Sequence, residues 1–345
     1  MGETTVRLPQ LTETAPEARE RSRFVYRFVY YRSAESQEYN ESGQDYLAIR
    51  EDGQRLAFAL CDGVGQSFYG DVAARHLGDA LLDWLWQLPS AGDRDRIGEA
   101  LAAFLADLTR TAMTELARVP LPANIPPLVH SVLEEKREHG SESTFVCGVL
   151  DAPAEWLALA WLGDTRLRLW DVEGRECTAA LGLTFHTRQR WSTRRGAVGS
   201  PPHVHVASTS PGAAGSIARL LAYTDGLAAL DALPFPPSAA TLREVIAAAL
   251  GSPTSDDISL FDLTLTPASD PPFAEVGPPP IGDTVAEAEL QSMNASATAD
   301  DDTATPPPRL FHGPLRTWAA AITRWATAQR RAWEDRGRPP DPPST

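Results

Sequence analysis

The chain has 345 residues, 43% of them apolar, enough to bury a sizeable core in one large domain or two ordinary ones. Its formal net charge of −15 argues against a nucleic-acid partner, because phosphate backbones are gripped by Lys and Arg. The three cysteines, Cys61, Cys147 and Cys177, lack the paired spacing of a disulfide scaffold or zinc site, which fits a reducing cytoplasm, and no stretch reaches the roughly 18 apolar residues of a membrane span.

Residues 1–22 are polar and acidic, with neither an apolar signal core nor a period, and predict a loose arm. Residues 23–31 (RFVYRFVYY), 45–50 and 55–61 are rich in β-formers around the turn Glu51-Asp52-Gly53 and predict meandering strands. Ala and Leu then recur at helical intervals over 71–88 and 93–119, predicting two antiparallel helices, and a short helix follows the proline-bearing loop 120–127. Strands are predicted again at 143–150, 156–162, 167–171, 204–207, 218–224 and 258–264, with a helix at 239–250. Residues 267–313 shift to Pro, Ala, Asp, Ser and Thr and read as a disordered linker. Within 314–336 a last, amphipathic helix sets Leu315, Trp318, Ile322, Trp325 and Trp333 against a basic face; docking on its own domain, capture by a partner protein and an anionic membrane surface all remain open for it. Residues 337–345 form a disordered tail. Basic charge is nearly all arginine, with Lys136 the sole lysine, a bias that points to a GC-rich, bacterial genome.

The chemistry lies where apolar runs end in carboxylates. Leu60-Cys61-Asp62-Gly63-Val64-Gly65 closes a strand on an Asp-Gly pair, which by itself is an ordinary turn former. The design recurs at Tyr223-Thr224-Asp225-Gly226-Leu227, and Leu162-Gly163-Asp164-Thr165-Arg166 and Ser255-Asp256-Asp257-Ile258 add carboxylates at further strand edges. An aspartate set without His or Cys selects hard cations such as Mg²⁺ or Mn²⁺ and excludes a zinc enzyme. Two such ions sharing a water can activate it for in-line attack on a phosphate ester. No phosphate-cradling glycine loop with its lysine is present, so a nucleotide-binding or transferase reading fails.

In order and wording these segments resemble the metal-dependent protein phosphatases of the PPM, or type-2C, family, over roughly residues 24–265. Asn40-Glu41-Ser42-Gly43-Gln44-Asp45 matches the first acidic motif, Cys61-Asp62-Gly63-Val64-Gly65 the second and Ser141-Glu142-Ser143-Thr144 the Gly-Ser-Thr-like strand start; the three further carboxylate segments follow in order. The resemblance implies an α+β fold, a four-layer α-β-β-α sandwich of two antiparallel sheets flanked by paired helices, as a phosphatase-like domain over 23–266. It implies hydrolysis of phosphoserine and phosphothreonine in proteins by a hydroxide bridging two divalent metals. Asp62 would bridge the metals, the Gly63 carbonyl would complete one site, Asp225 and Asp256 would hold the other, Asp45 would act mostly through waters, and Asp164 would serve a third, weaker ion. Asp257 competes with Asp256, which is favoured because the family's ligand precedes the strand start. Asp164 has a plainer reading as a turn-capping carboxylate. The implied partners are phosphoprotein substrates, a serine/threonine kinase or its targets, with the C-terminal helix as a docking element.

Departures from the family pattern open a second reading, a phosphatase-like binding or regulatory module with weak or no catalysis. The arginine that grips substrate phosphate five residues before Asp45 is replaced by Asn40. Arg32 is the nearest substitute, though on a strand it more readily faces solvent or a carboxylate. Val64 stands where animal members carry a histidine acid, which leaves metal-bound water to protonate the leaving group, as in bacterial members. In Thr184-Phe185-His186, Phe185 takes an acidic position of the flap signature. His186, His203 and His205 read as structural or exposed rather than catalytic.

Overall fold

The computed structural model describes residues 2–265 apart from 91, 123, 124, 183–185, 187, 211, 214 and 253. The expected linker, C-terminal helix and tail lie outside the described residues. The chain divides into one compact unit of residues 1–122 and 131–279 and a second of 123–130 and 280–345; the sheets and the candidate site belong to the first, and 125–130 are what is described of the second.

In chain order the elements are β1 (Thr4–Arg7), β2 (Thr14–Glu20), β3 (Val25–Tyr31), α1 (Ala34–Glu38), β4 (Tyr46–Glu51), β5 (Arg55–Gly63), α2 (Gly70–Gln87), α3 (Arg94–Ala117) and α4 (Pro127–His139). They continue with β6 (Glu142–Asp151), β7 (Trp156–Leu162), β8 (Arg166–Trp170), β9 (Arg190–Ser192), β10 (Gly196–Val198), β11 (His203–Ser208), β12 (Arg219–Tyr223), α5 (Ala239–Leu250) and β13 (Ile258–Thr264). Short 3-10 helices occupy Thr178–Leu181 and Asp225–Ala232. One sheet runs β1-β4-β5-β6-β7-β11, with β9 on β6 and β10 on β9; the other runs β2-β3-β13-β12-β8, and every pairing is antiparallel.

Strict alternation inside largely apolar strands builds the layers. Along β5, Ala57, Ala59 and Cys61 face α2 and α3, while Leu56, Phe58 and Leu60 face the second sheet. Along β13, Phe261 and Leu263 enter the inter-sheet core, while Ile258 and Leu260 pack beneath α5 and the Asp225–Ala232 turn. Phe58 and Phe261 stack across the sandwich with ring centroids 4.3 Å apart, a contact adding roughly 0.5–1.5 kcal/mol beyond its burial. The protein is therefore an α+β sandwich of two antiparallel sheets with helical layers outside. Among the described residues the outer layer on the second sheet is one α-helix and a 3-10 turn, where a helix pair was expected. Side-chain caps set the helix starts: Asp93 accepts from the Arg96 amide and Ser238 from the Thr241 amide. Among the described residues no helix is long and apolar enough to cross a membrane.

The first twenty-two residues correct the expected loose arm. Residues 4–7 pair with β4 and residues 14–20 with β3, so the segment closes one edge of each sheet. As edge strands they bury one side only, which needs little apolar sequence and leaves a weak signal.

Candidate metal centre

Antiparallel pairing brings five distant loops to one end of the sandwich. Tyr46 opposes Cys61, Asp62 opposes Thr144 and Phe145 opposes Leu162 in one sheet; Tyr223 opposes both Arg166 and Leu260, and Ile258 opposes Tyr31, in the other. Asp45 thus precedes β4, Asp62 sits at the end of β5, Asp164 lies between β7 and β8, Asp225 follows β12 and Asp256 precedes β13, all at that end.

Their electrostatics show how closely they gather. Burial first, then repulsion from Asp45, Asp225, Asp164 and Asp256, pushes the Asp62 carboxyl well above the ordinary carboxylate range. Burial and the neighbouring Asp257, Asp256 and Asp225 do the same to Asp45, against the pull of its bond from Thr224. Asp225 is pushed up to about 6 by burial, Asp256 and Asp164, while Arg166 and the Gly226 amide pull the other way.

Local structure sorts the carboxylates by how much of each oxygen pair is already engaged. Asp45 is 2% exposed and takes a 2.7 Å bond from the Thr224 hydroxyl on Oδ2. Among the described residues nothing donates to the Asp62 carboxylate, and its carbonyl accepts the Ser143 hydroxyl at 2.8 Å. Asp257 is spoken for: Oδ1 accepts the Ser33 amide at 2.6 Å and Oδ2 accepts the Gln44 amide. It clasps both ends of the segment carrying the first acidic motif. Asp256 is exposed and, among the described residues, engages only Oδ1, with the Asp257 amide at 2.8 Å. The geometry therefore leaves Asp256, not Asp257, with an oxygen to offer. Thr224, Gln44 and Arg166 lie inside the motif segments with no role assigned to them from the sequence, and Ser33 carries no local signal.

The two glycines after the aspartates are required by close backbone approach. A Cβ on Gly63 would lie 2.4 Å from the carbonyl carbon and oxygen of Gly70, where α2 begins, and one on Gly226 would lie 2.1 Å from the Asp257 carbonyl oxygen. These contacts lock the β5 end to α2 and the β12 end to the start of β13.

Arg32, the substitute expected for the phosphate contact, is engaged by other groups in this structure. Its side chain is 9% exposed, its Nε donates to Glu13 Oε1 at 2.8 Å and its Nη1 to the Glu41 carbonyl at 3.0 Å, so it serves a carboxylate brought in by the N-terminal segment. Asn40 lies just beyond α1 in a left-handed conformation at φ +52°. His186 is exposed, His203 stacks on Trp161 at 5.3 Å and His205 is half-buried on β11, in keeping with structural or surface roles; Thr184 and Phe185 lie outside the described residues. Cys61 and Cys147 are free and buried in the apolar core.

A hard divalent cation fits this donor set, which is all oxygen, largely buried and charge-uncompensated enough to raise three carboxyls. Among the described residues no three acidic, His or Cys side chains are drawn together tightly enough to form a ready-made ligand shell.

No protein-family model and no curated protein sequence matches the chain. Solved structures do. In structure the chain is similar to serine/threonine phosphatases. The Stp1 phosphatase of Staphylococcus aureus is 13% identical at a TM-score of 0.46, over 69% of this chain and 94% of that one. A serine-threonine phosphatase 2C of Toxoplasma gondii is 15% identical at 0.45, over 76% and 99%. The catalytic domain of the phosphatase PstP, in complex with two manganese ions, is 17% identical at 0.42, over 71% and 99%.

Proposed function

We propose that the protein hydrolyses phosphoserine and phosphothreonine in proteins with Mg²⁺ or Mn²⁺. The observation that carries this reading is the convergence of Asp45, Asp62, Asp164, Asp225 and Asp256 at one end of the two-sheet sandwich, where burial and mutual repulsion hold the carboxyls of Asp45, Asp62 and Asp225 above their ordinary range. Asp62, the Gly63 carbonyl, Asp225 and Asp256 would hold two cations, Asp45 would act through water, and Asp164 would serve a third. When bound, such cations polarise a phosphoryl oxygen and make water acidic enough to attack near neutral pH. The chain's own residues do the positioning. Thr224 orients Asp45 while standing next to Asp225, the Asp257 clasp fixes the first acidic loop, and the Gly63–Gly70 and Gly226–Asp257 contacts set the heights of the two Asp-Gly turns. The physiological target belongs with a serine/threonine kinase or its substrates.

The test is turnover of p-nitrophenyl phosphate and a phosphothreonine peptide with Mn²⁺. Wild type is expected to hydrolyse both, and Asp62→Ala to lose turnover while keeping its fold by circular dichroism; an inactive wild type overturns the reading. One observation favours a second reading, a binding module without catalysis: Asn40 replaces the phosphate-gripping arginine and Arg32 is committed to Glu13. That reading expects phosphopeptide binding to survive Asp225→Asn.

A further inference from the structure

From Cys177 to Thr224 the chain holds no Asp or Glu, although 46 acidic residues in 345 put one at every seventh or eighth position on average. The same stretch carries Arg188, Arg190, Arg194 and Arg195 within eight residues. In a chain of net charge −15 this is a local reversal of sign.

The fold places that reversal beside the carboxylate centre. The His186 amide donates to the Gly163 carbonyl at 3.2 Å, and the Gln189 amide closes a turn on His186 at 3.0 Å. A Cβ on Gly163 would lie 2.7 Å from the Gln189 carbonyl, so the turn rests on the residue preceding Asp164. Next, β9 pairs with β6 through Ser143 and Trp191, one register step from the Asp62–Thr144 pair.

Within this rim the arginines divide in two. Arg190 and Arg195 both bind the buried Glu142 carboxylate, Arg195 at 2.5 Å, and pin the β9–β10 hairpin to the start of β6. Arg188 and Arg194 are exposed and, among the described residues, meet no carboxylate; Arg194 donates to the Glu138 carbonyl. The last turn of α4 brings Lys136, Arg137 and His139 together with Glu135 and Glu138, and Arg137 is paired to Glu134, so α4 adds no net positive charge and the rim's excess rests on the arginines of 188–195. Glu142 thus offsets one of the two charges of the structural pair and meets neither of the outward pair.

We propose that this rim is a docking surface for the acidic flank of a phosphorylated peptide, with Arg188 and Arg194 as its unpaired cations. The proposal rests on the phosphatase reading for what happens to the phosphate, and names the substrate class: phosphoserine or phosphothreonine embedded in Asp- or Glu-rich sequence. Outward guanidinium groups steer and retain such a segment through charge complementarity that salt weakens. It also supplies a grip on anionic substrate that Asn40 does not.

The experiment uses the full chain with Mn²⁺ and phosphothreonine peptides identical except for Glu or Lys flanks, with p-nitrophenyl phosphate as reference. In wild type, KM for the Glu-flanked peptide is expected about tenfold below that for the Lys-flanked one, a gap closing as salt rises from low to about 0.5 M. The double substitution R188A/R194A brings the KM ratio close to one, with the loss in KM rather than kcat. Equal KM values for both peptides in wild type, or a gap that survives R188A/R194A, overturns the docking surface while p-nitrophenyl phosphate turnover keeps the catalytic reading. Should nothing be hydrolysed, fluorescence anisotropy of the labelled peptides on the metal-free chain decides the rim by the same preference and its loss in the variant.

Discussion

Neighbouring aspartates with opposite duties make the sharpest test of the centre. Replacing Asp257 by Ala leaves the Ser33 and Gln44 amides without their acceptor, and each buried unpaired donor costs about 1–3 kcal/mol. Removing a buried charge that Asp45 feels as repulsion returns part of that, so the net loss is placed at about 2–4 kcal/mol. For an ordered domain of this size that lowers the unfolding midpoint by roughly 4–7 °C. Replacing Asp256 by Ala removes an exposed side chain with one local bond and relieves its repulsion of Asp225, Asp62 and Asp45, so the metal-free stability is expected to equal or slightly exceed that of wild type. Manganese separates the two further. Saturation to about 100 times the dissociation constant stabilises wild type by about 2.7 kcal/mol, and Asp256→Ala should lose most of that gain. Urea unfolding of both variants, with and without Mn²⁺, reads all four values. Early unfolding of Asp256→Ala, with a normally stable Asp257→Ala that ignores Mn²⁺, would refute the assignment and exchange the two residues.

Two other outcomes follow from the same geometry. Because Asp45, Asp62 and Asp225 have folded-state pKa values raised above the ordinary carboxylate value, their contribution to metal-free stability is fully present below about pH 4 and is lost as pH rises through the folded values, about 6 for Asp225. Mn²⁺ should cancel that decline and release protons on binding at about pH 5–6, which calorimetry in buffers of different ionisation enthalpy measures; binding without proton release at that pH contradicts it. Gly63→Ala forces a Cβ to 2.4 Å from the Gly70 backbone and is expected to cost about 1–3 kcal/mol in denaturant unfolding, whereas a neutral result would mean that the start of α2 can move.

The strand-rich order and the aspartates at the strand ends were legible in the sequence because each is a short-range pattern: an apolar strand, then a turn former, repeated. Edge strands β1 and β2 were not, since one-sided burial tolerates the polar residues that suggested a loose arm. Nor was the short β9–β10 hairpin, held to β6 by Glu142 across a separation of about fifty residues.

By itself the sequence determined which residue types stand at the strand ends, and so the kind of cation and chemistry they suit. Tertiary structure alone decided which carboxylate oxygens remain available. Asp256 and Asp257 are adjacent and chemically identical, and only the folded positions of the Ser33 and Gln44 amides make one a clasp and leave the other open. Arg32 likewise became a partner of Glu13 because two strands met at an edge, since an ion pair is set by three-dimensional distance rather than by spacing along the chain.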